Sequence, residues 1–257
     1  MELLQKMEAV VCRAGQIVLS AREIAAQTKQ KTSAADLVTA YDVQVEAFLK
    51  RELLALVPGS AFYGEEEAEN ADPTQGWVFV VDPIDGTANF VRGFGQSAIS
   101  VALAREGQVV YAVVLNPFTG ERFTAKRGGG AFLNGSPIHV SDRPLSQGIF
   151  AMGTAPYDKA LHEKTLAITR RLFDQSCDFR RMGSAALDLC AVACGRAELY
   201  FECVLSPWDY AAGWLLVEEA GGSVSTLEGT PLRLDVRCSL WACNRACAGV
   251  LPALDLA

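Results

Sequence analysis

The sequence predicts an α/β fold of layered helices and sheets. Three observations carry that prediction. Apolar residues recur at helical spacing near the N-terminus, apolar segments punctuated by turn residues fill the middle, and strand-like and helix-like segments alternate in the second half. The 257 residues suffice for one large domain or two packed halves.

Leu3, Leu4, Met7, Val10, Val11, Ala14, Ile17 and Val18 predict a helix within residues 2–28. A second helix fits residues 41–56 and stops near Pro58–Gly59. AFYGEEEAEN, at 61–70, is a short apolar run that ends abruptly in acid. Residues 77–82 read as a buried strand, and Gly86–Thr87 open a short helix that Gly93 ends. QSAISVALARE, QVVYAVVLN and ERFTAKRGGGAFLNG follow, joined by Glu-Gly-Gln and Asn-Pro-Phe-Thr-Gly. Such punctuation signals hairpins, so the middle reads as an antiparallel meander. Beyond it, strands at GIFAMGTA, DFRRMG, AELYFE and SLWACN alternate with helices at 158–174, 184–194, 207–220 and 244–251. No linker rich in Pro, Gly or Ser separates the halves. Residues 1–145, with an antiparallel or mixed sheet, and 146–257, of α/β character, are therefore expected to form one continuous globular unit.

Composition narrows the function classes. Residues are 50% hydrophobic and 21% charged, as in a globular protein with a sizeable core. A formal net charge of −7 argues against broad attraction to nucleic acid or an anionic membrane surface. The longest apolar runs are too short to span a bilayer. Residues 1–20 interleave Glu2, Lys6, Glu8 and Arg13 with apolar positions, an amphipathic helix rather than a secretory leader. A cytoplasmic location is the expectation. The eight cysteines fit it: Cys190/Cys194 and Cys243/Cys247 are one helical turn apart, without histidines at zinc spacing, and read as reduced core residues. His139 and His162 are the only histidines, and neither neighbours a plausible nucleophile. Chemistry here is expected to run on carboxylates, hydroxyls and metal.

The stretch WVFVVDPIDGTANF, 77–90, drives an apolar strand into Asp82 and Asp85. A strand ending in Asp82 presents its carboxylate at the sheet's carboxyl edge, where layered folds bind ligands. Pro83 fixes the turn and Asp85 returns beside Asp82. Two carboxylates held this close repel unless a hard cation such as Mg²⁺ joins them. Gly86 and Thr87 then begin a helix, whose free N–H groups and dipole favour a phosphate. Asp85 could instead merely cap that helix, but this would leave Asp82 stranded. The three-residue spacing excludes an EF-hand loop, and Ile84 stands where aspartyl-phosphate enzymes have their second aspartate. Asp42, in LVTAYD, Glu65 and Glu66, after Gly64, and Asp209, in SPWDYAAG, are further acidic candidates. Each has a bland reading alone: Asp42 a surface helix residue, the GEEE run a solvated acidic patch, Asp209 the N3 acid of a capping box started by Ser206 and Pro207. Only the set is persuasive.

The set resembles the inositol monophosphatase family of Mg²⁺-dependent, lithium-sensitive phosphatases. Matching motifs occur in the family's order over most of the chain: DLVTAYD (36–42), GEEE (64–67), VVDPIDGTANF (80–90), GGGAFLNG (128–135), RMGSAALDLC (181–190) and WDYAAGWLLVEEAGG (208–222). The resemblance implies an αβαβα sandwich and a homodimer. It implies that Glu65, Asp82 and the Ile84 carbonyl bind a first Mg²⁺, that Asp82, Asp85 and Asp209 bind a second, and that a weaker third sits near Glu65. Mn²⁺ would substitute and Li⁺ inhibit. Gly86 and Thr87 would hold the phosphate through N–H groups, Asp42 with the Thr87 hydroxyl would deprotonate the attacking water, and Glu202 and Ala185 would meet the sugar or inositol ring. The implied partner is a small phosphorylated polyol such as inositol monophosphate. Fructose 1,6-bisphosphate, histidinol phosphate and nucleotide 3′-phosphates are the alternatives within the family, and a regulatory or scaffold protein keeping the fold is the alternative outside enzymes. The sequence departs from the family at Glu67, where serine is frequent, and at Ala35, where proline is common.

Overall fold

The computed structural model describes residues 2–30 and 37–254. Ala35, and Asp36 at the head of the DLVTAYD motif, lie outside the described residues. In chain order the first elements are α1 (Glu2–Ser20), β1 (Thr28–Gln30), β2 (Leu37–Thr39), α2 (Ala40–Leu56), β3 (Ala61–Gly64), β4 (Trp77–Asp85) and α3 (Thr87–Arg92). The meander follows as β5 (Ala98–Arg105), β6 (Gln108–Asn116), β7 (Glu121–Lys126), β8 (Gly130–Leu133) and β9 (Ser136–Ile138). The remainder is β10 (Ile149–Met152), α4 (His162–Phe173), β11 (Asp178–Arg180), α5 (Ala185–Ala193), β12 (Leu199–Leu205), α6 (Pro207–Glu219), β13 (Ser223–Ser225), β14 (Cys238–Cys243) and α7 (Val250–Ala253).

Two large sheets organise the chain. One has seven strands in the order β3-β4-β5-β6-β7-β8-β9, antiparallel except for the β3–β4 pair. The other is mixed, in the order β11-β10-β12-β14-β13, with β10 parallel to both its neighbours. β4 reads as a continuous apolar run because it is buried on both faces. Successive side chains point to opposite faces. Phe79 and Val81 accordingly pack with Val45, Leu49 and Leu53 of α2 and Met7, Val10 and Val11 of α1. Val80 packs the other way, among residues of α5 and α6. Those helices also cover Tyr200, Leu240 and Ala242 of the five-stranded sheet. The far face of that sheet, with Phe150, Phe201 and Trp241, packs on Ile168 and Leu172 of α4. Helices and sheets thus alternate in five layers, the layered α/β architecture read from the sequence.

Three boundaries differ from the sequence reading. The first helix stops at Ser20, because Glu23 takes a left-handed φ of 51° and the chain turns through a 3₁₀ segment at Ile24–Gln27. β4 runs on through Asp85 rather than stopping at Asp82. The predicted helix at 244–251 is a 3₁₀ turn, closed by the Asn244 side chain accepting from the Cys247 N–H at 2.9 Å, followed by the short α7. All eight cysteines are free. No helix among the described residues is long and apolar enough to cross a membrane.

α5 and α6 approach closely at Gly213, where an added Cβ would lie 2.6 Å from Leu189 Cβ. Replacing this glycine by alanine sets a gain of about 1 kcal/mol in helix propensity against overpacking of about 1–3 kcal/mol. A larger, β-branched side chain tips the balance. Gly213→Val is therefore expected to lower the urea midpoint by the equivalent of at least about 2 kcal/mol at constant slope.

Candidate functional site

β4 builds the centre of the site. Residues three apart on a regular strand face opposite sides. Between Asp82 and Asp85 the register against β5 shifts, and Pro83 has no N–H to give to a ladder. The irregularity turns both carboxylates into one place, and the Ile84 N–H closes the turn on Asp82 Oδ1 at 3.0 Å. β3, parallel to β4, delivers Glu65 beside it: the Glu65 N–H donates to Val81 O at 3.2 Å. α6 brings the third aspartate. Its capping box is real, with the Ser206 N–H donating to Asp209 Oδ2 at 2.7 Å. The same residue offers a carboxylate oxygen to Asp82 and Asp85, and the ligand atoms of the three lie within 4.8 Å of one another. Capping and clustering are not alternatives here.

Asp82 is 2% and Asp85 8% exposed. Burial, then the charges of Glu65, Asp85, Asp209 and Asp42, pushes the Asp82 carboxyl well above the usual range. Burial, then Asp85 and Glu65, does the same to Asp209. Asp85 is pushed up to about 6 by burial, against hydrogen bonds from Ser184 and Ala186 that favour its ionised form. The leading electrostatic influences on Asp82 and Asp209 thus come from other carboxylates, which a cation would reverse. An all-oxygen donor set suits a hard divalent ion. The cluster is compatible with metal binding, and the residues present fit that group.

The other predicted residues gather around this cluster. Asp85 does not cap α3, whose N-cap is Gly86. It caps α5 instead, accepting from Ser184 Oγ at 2.6 Å and from the Ala186 N–H at 2.7 Å. Gly86 has a left-handed φ of 86°, and a Cβ there would lie 2.9 Å from Gly183 O. Only glycine suits such a position. Thr87 Oγ1 lies 3.1 Å from Ile84 O and 3.3 Å from Asp42 Oδ1, within reach of both with one proton to give. Asp42 is fully buried rather than a surface helix residue, and its other oxygen takes the Thr39 N–H at 2.7 Å in the capping box of α2. Glu202, on β12, is 7% exposed and held at both oxygens, by the Ala155 N–H and the Tyr200 hydroxyl, each at 2.7 Å. A Cβ at Gly153 would overlap its carboxylate. Asp85, Gly86, Thr87, Ala185, Glu202 and Asp209 all line one cleft of about 100 Å³. Glu67, at the serine position of the family, pairs with Lys50 at 2.7 Å.

Sequence reading missed Glu46, which is 3% exposed and accepts the Glu66 N–H at 2.9 Å. Burial, then nearby acid, pushes it up to about 7. It holds the Glu65 segment in place, and Gly64 leaves room, since a Cβ there would lie 2.8 Å from Glu46 Cδ. The available signal was spacing, for Glu46 is one helical turn after Asp42. Asp188 and Arg181, which also line the cleft, were missed as well.

A model of the inositol monophosphatase family matches residues 2–253. The chain belongs to the inositol monophosphatase family. It is 44% identical over 198 residues to an inositol-1-monophosphatase of Rhizobium meliloti, covering 76% of this chain and 74% of that one. It is 42% identical over 206 residues to the Nus factor SuhB of Escherichia coli, covering 80% and 77%. The crystal structure of the extragenic suppressor protein suhB from Bartonella henselae superposes with a TM-score of 0.91 at 34% identity, over 99% of both chains. Family members thus carry both enzyme and factor names.

The acidic cluster sets the pH response. Carboxyls raised in the folded state contribute stability below the unfolded carboxylate range, and that contribution is lost as pH rises through their folded values. Chelator-treated protein is therefore expected to melt lower at pH 8 than at pH 5. Millimolar Mg²⁺ should raise the pH 8 midpoint by about 3 °C or more, and Asp85→Asn should flatten the metal-free slope. Differential scanning fluorimetry checks all three.

Proposed function

We propose that this chain is a Mg²⁺-dependent phosphomonoesterase that hydrolyses inositol monophosphate or a similar small polyol phosphate. The observation that supports it most is the mutual approach of Asp82, Asp85 and Asp209 within 4.8 Å, beside the Asp42–Thr87 pair. Glu65, Asp82, the Ile84 carbonyl, Asp85 and Asp209 would hold two to three ions. When bound, Mg²⁺ supplies Lewis acidity and neutralises the charge that would otherwise repel a phosphate dianion.

The chain's own groups do the positioning. Backbone N–H groups at the start of α3 have no partner within the helix and face the cleft at Gly86 and Thr87, where they receive phosphate oxygens. Asp42 Oδ1 and the Thr87 hydroxyl orient the attacking water, and Asp42 takes its proton. The phosphorus–oxygen ester bond breaks as the water adds, and the leaving polyol oxygen takes up a proton from solvent water in the cleft. Glu202, fixed by Ala155 and Tyr200, accepts hydrogen bonds from ring hydroxyls. Water attacks phosphorus directly, so no carboxylate is phosphorylated.

Fructose bisphosphatase, histidinol phosphatase and nucleotide 3′-phosphatase activities are the alternatives within this reading. Resemblance to a relative named Nus factor favours one other reading, a regulatory binding protein that keeps the fold. Phosphate release from inositol 1-phosphate with and without Mg²⁺ separates them. The enzyme reading expects strict metal dependence and a fall of at least about a hundredfold in kcat for Asp85→Asn. Wild-type turnover by that variant, or a phosphoenzyme trapped by rapid quench, would overturn the mechanism. Glu202→Gln is expected to lose more on inositol 1-phosphate than on p-nitrophenyl phosphate, and an equal loss would remove its recognition role.

A further inference from the structure

Asp85 has two carboxyl oxygens, and the helical layer takes one of them. Its Oδ2 accepts from Ser184 Oγ at 2.6 Å and from the Ala186 N–H at 2.7 Å, and Oδ1 takes part in neither bond. Ser184 opens α5 as its N-cap, where its oxygen accepts the Leu187 N–H at 3.3 Å. Capping uses a lone pair and leaves the hydroxyl proton unassigned. The direction of the bond to Asp85 follows: an ionised carboxylate only accepts, so that proton goes to Oδ2. Hydrogen bonds to a charged acceptor are shorter and stronger than neutral ones. Ser184 itself has little freedom. It is 1% exposed, and a Cβ at Gly86 would lie 3.3 Å from its own Cβ. Two residues earlier, Met182 O accepts from Asn89 Nδ2 of α3 at 2.7 Å. The start of α5 is thus pinned to the turn from β4 into α3.

We propose that Ser184 is a positioning residue: its hydroxyl fixes Oδ2 of Asp85 and leaves Oδ1 as the oxygen that Asp85 offers to Mg²⁺. This deepens the phosphatase reading and rests on it. Ser184 acts through Asp85 and needs no contact with substrate. Capping alone accounts for the bond to Leu187, but a cap has no need of a carboxylate partner 99 positions away. Without the hydroxyl, Oδ2 keeps backbone donors alone, and the carboxylate loses the one side-chain partner that sets its rotation. Partners that orient a metal-binding carboxylate are worth about 10–100-fold in metal affinity or activity. Glycine separates the two roles, because it caps nearly as well as serine and has no hydroxyl.

The test is a calorimetric titration of Mg²⁺ into chelator-treated wild type, Ser184→Gly and Ser184→Thr. Phosphate release from inositol 1-phosphate is followed against Mg²⁺ alongside. Ser184→Gly should raise the Kd for one Mg²⁺ by about tenfold or more, and the half-saturating Mg²⁺ for turnover with it. Ser184→Thr, which keeps both the lone pair and the proton, should stay within about threefold of wild type. A cap alone predicts otherwise: a weakened α5 lowers the fraction of protein that binds, and the folded remainder binds Mg²⁺ with the wild-type Kd. An unchanged Kd in Ser184→Gly, or an equal loss in Ser184→Thr, overturns the assignment, and phosphate release by the wild type then leaves the phosphatase reading standing. A wild type that binds no Mg²⁺ and releases no phosphate overturns that reading, and this assignment with it.

Discussion

Carboxylates crowded into a low-dielectric cleft repel one another, and much of the surrounding structure answers that repulsion. Besides α3, three helices start at or beside the cleft with a carboxylate at their first turn. Asp42 is the N3 acid of α2, Asp209 the N3 acid of α6, and Asp85 receives an N–H from the first turn of α5. Each carboxylate therefore sits at the positive end of a helix, where free N–H groups and the macrodipole favour negative charge by a few tenths to about 2 kcal/mol. That offsets part of the desolvation and leaves a deficit. The deficit is the physical reason the cluster suits a divalent ion, and the reason its protonation is linked to stability.

The layers decide where the crowding occurs. β3 runs parallel to β4 and ends at Gly64 opposite Val81, which brings Glu65 beside Asp82 from one sheet. β12 brings Glu202 from the other, and the helical layer between the sheets, α5 and α6, supplies Ala185, Asp188 and Asp209. Glycine marks the close approaches. Without Gly153 the Glu202 carboxylate has no room, and without Gly86 the chain cannot turn from β4 into α3 past Gly183. The cleft is a product of three layers meeting, and no single element contains it.

Much of this was legible in the sequence, where local patterns were strong. The double-sided burial of β4 showed as an uninterrupted apolar run, the meander as regularly spaced turn residues, and α6 as Ser206–Pro207–Asp209. Boundaries set by backbone conformation were not legible. Nothing in the periodicity of residues 2–28 reveals that Glu23 turns left-handed. Local reading could not show which helix Asp85 caps, because its partners Ser184 and Ala186 are a hundred positions away and only tertiary structure joins them. For Asp209 the choice between cap and cluster was a false one: spacing reports the local bond, and the fold brings the same carboxyl to Asp82 and Asp85. Asp188 left no mark at all, since one acid in a helix of small residues resembles a surface position until both sheets close over it.

The hydrogen bond from the Ala186 N–H to Asp85 has a consequence of its own. It ties the opening turn of an interior helix to an acid whose proton content varies. Weakening the acceptor loosens the amide, so solvent isotope exchange at that single backbone site becomes a gauge of ionisation at the cleft floor, readable without any substrate. The mid-layer helix is in this sense a sensor wired to the strand that crosses beneath it.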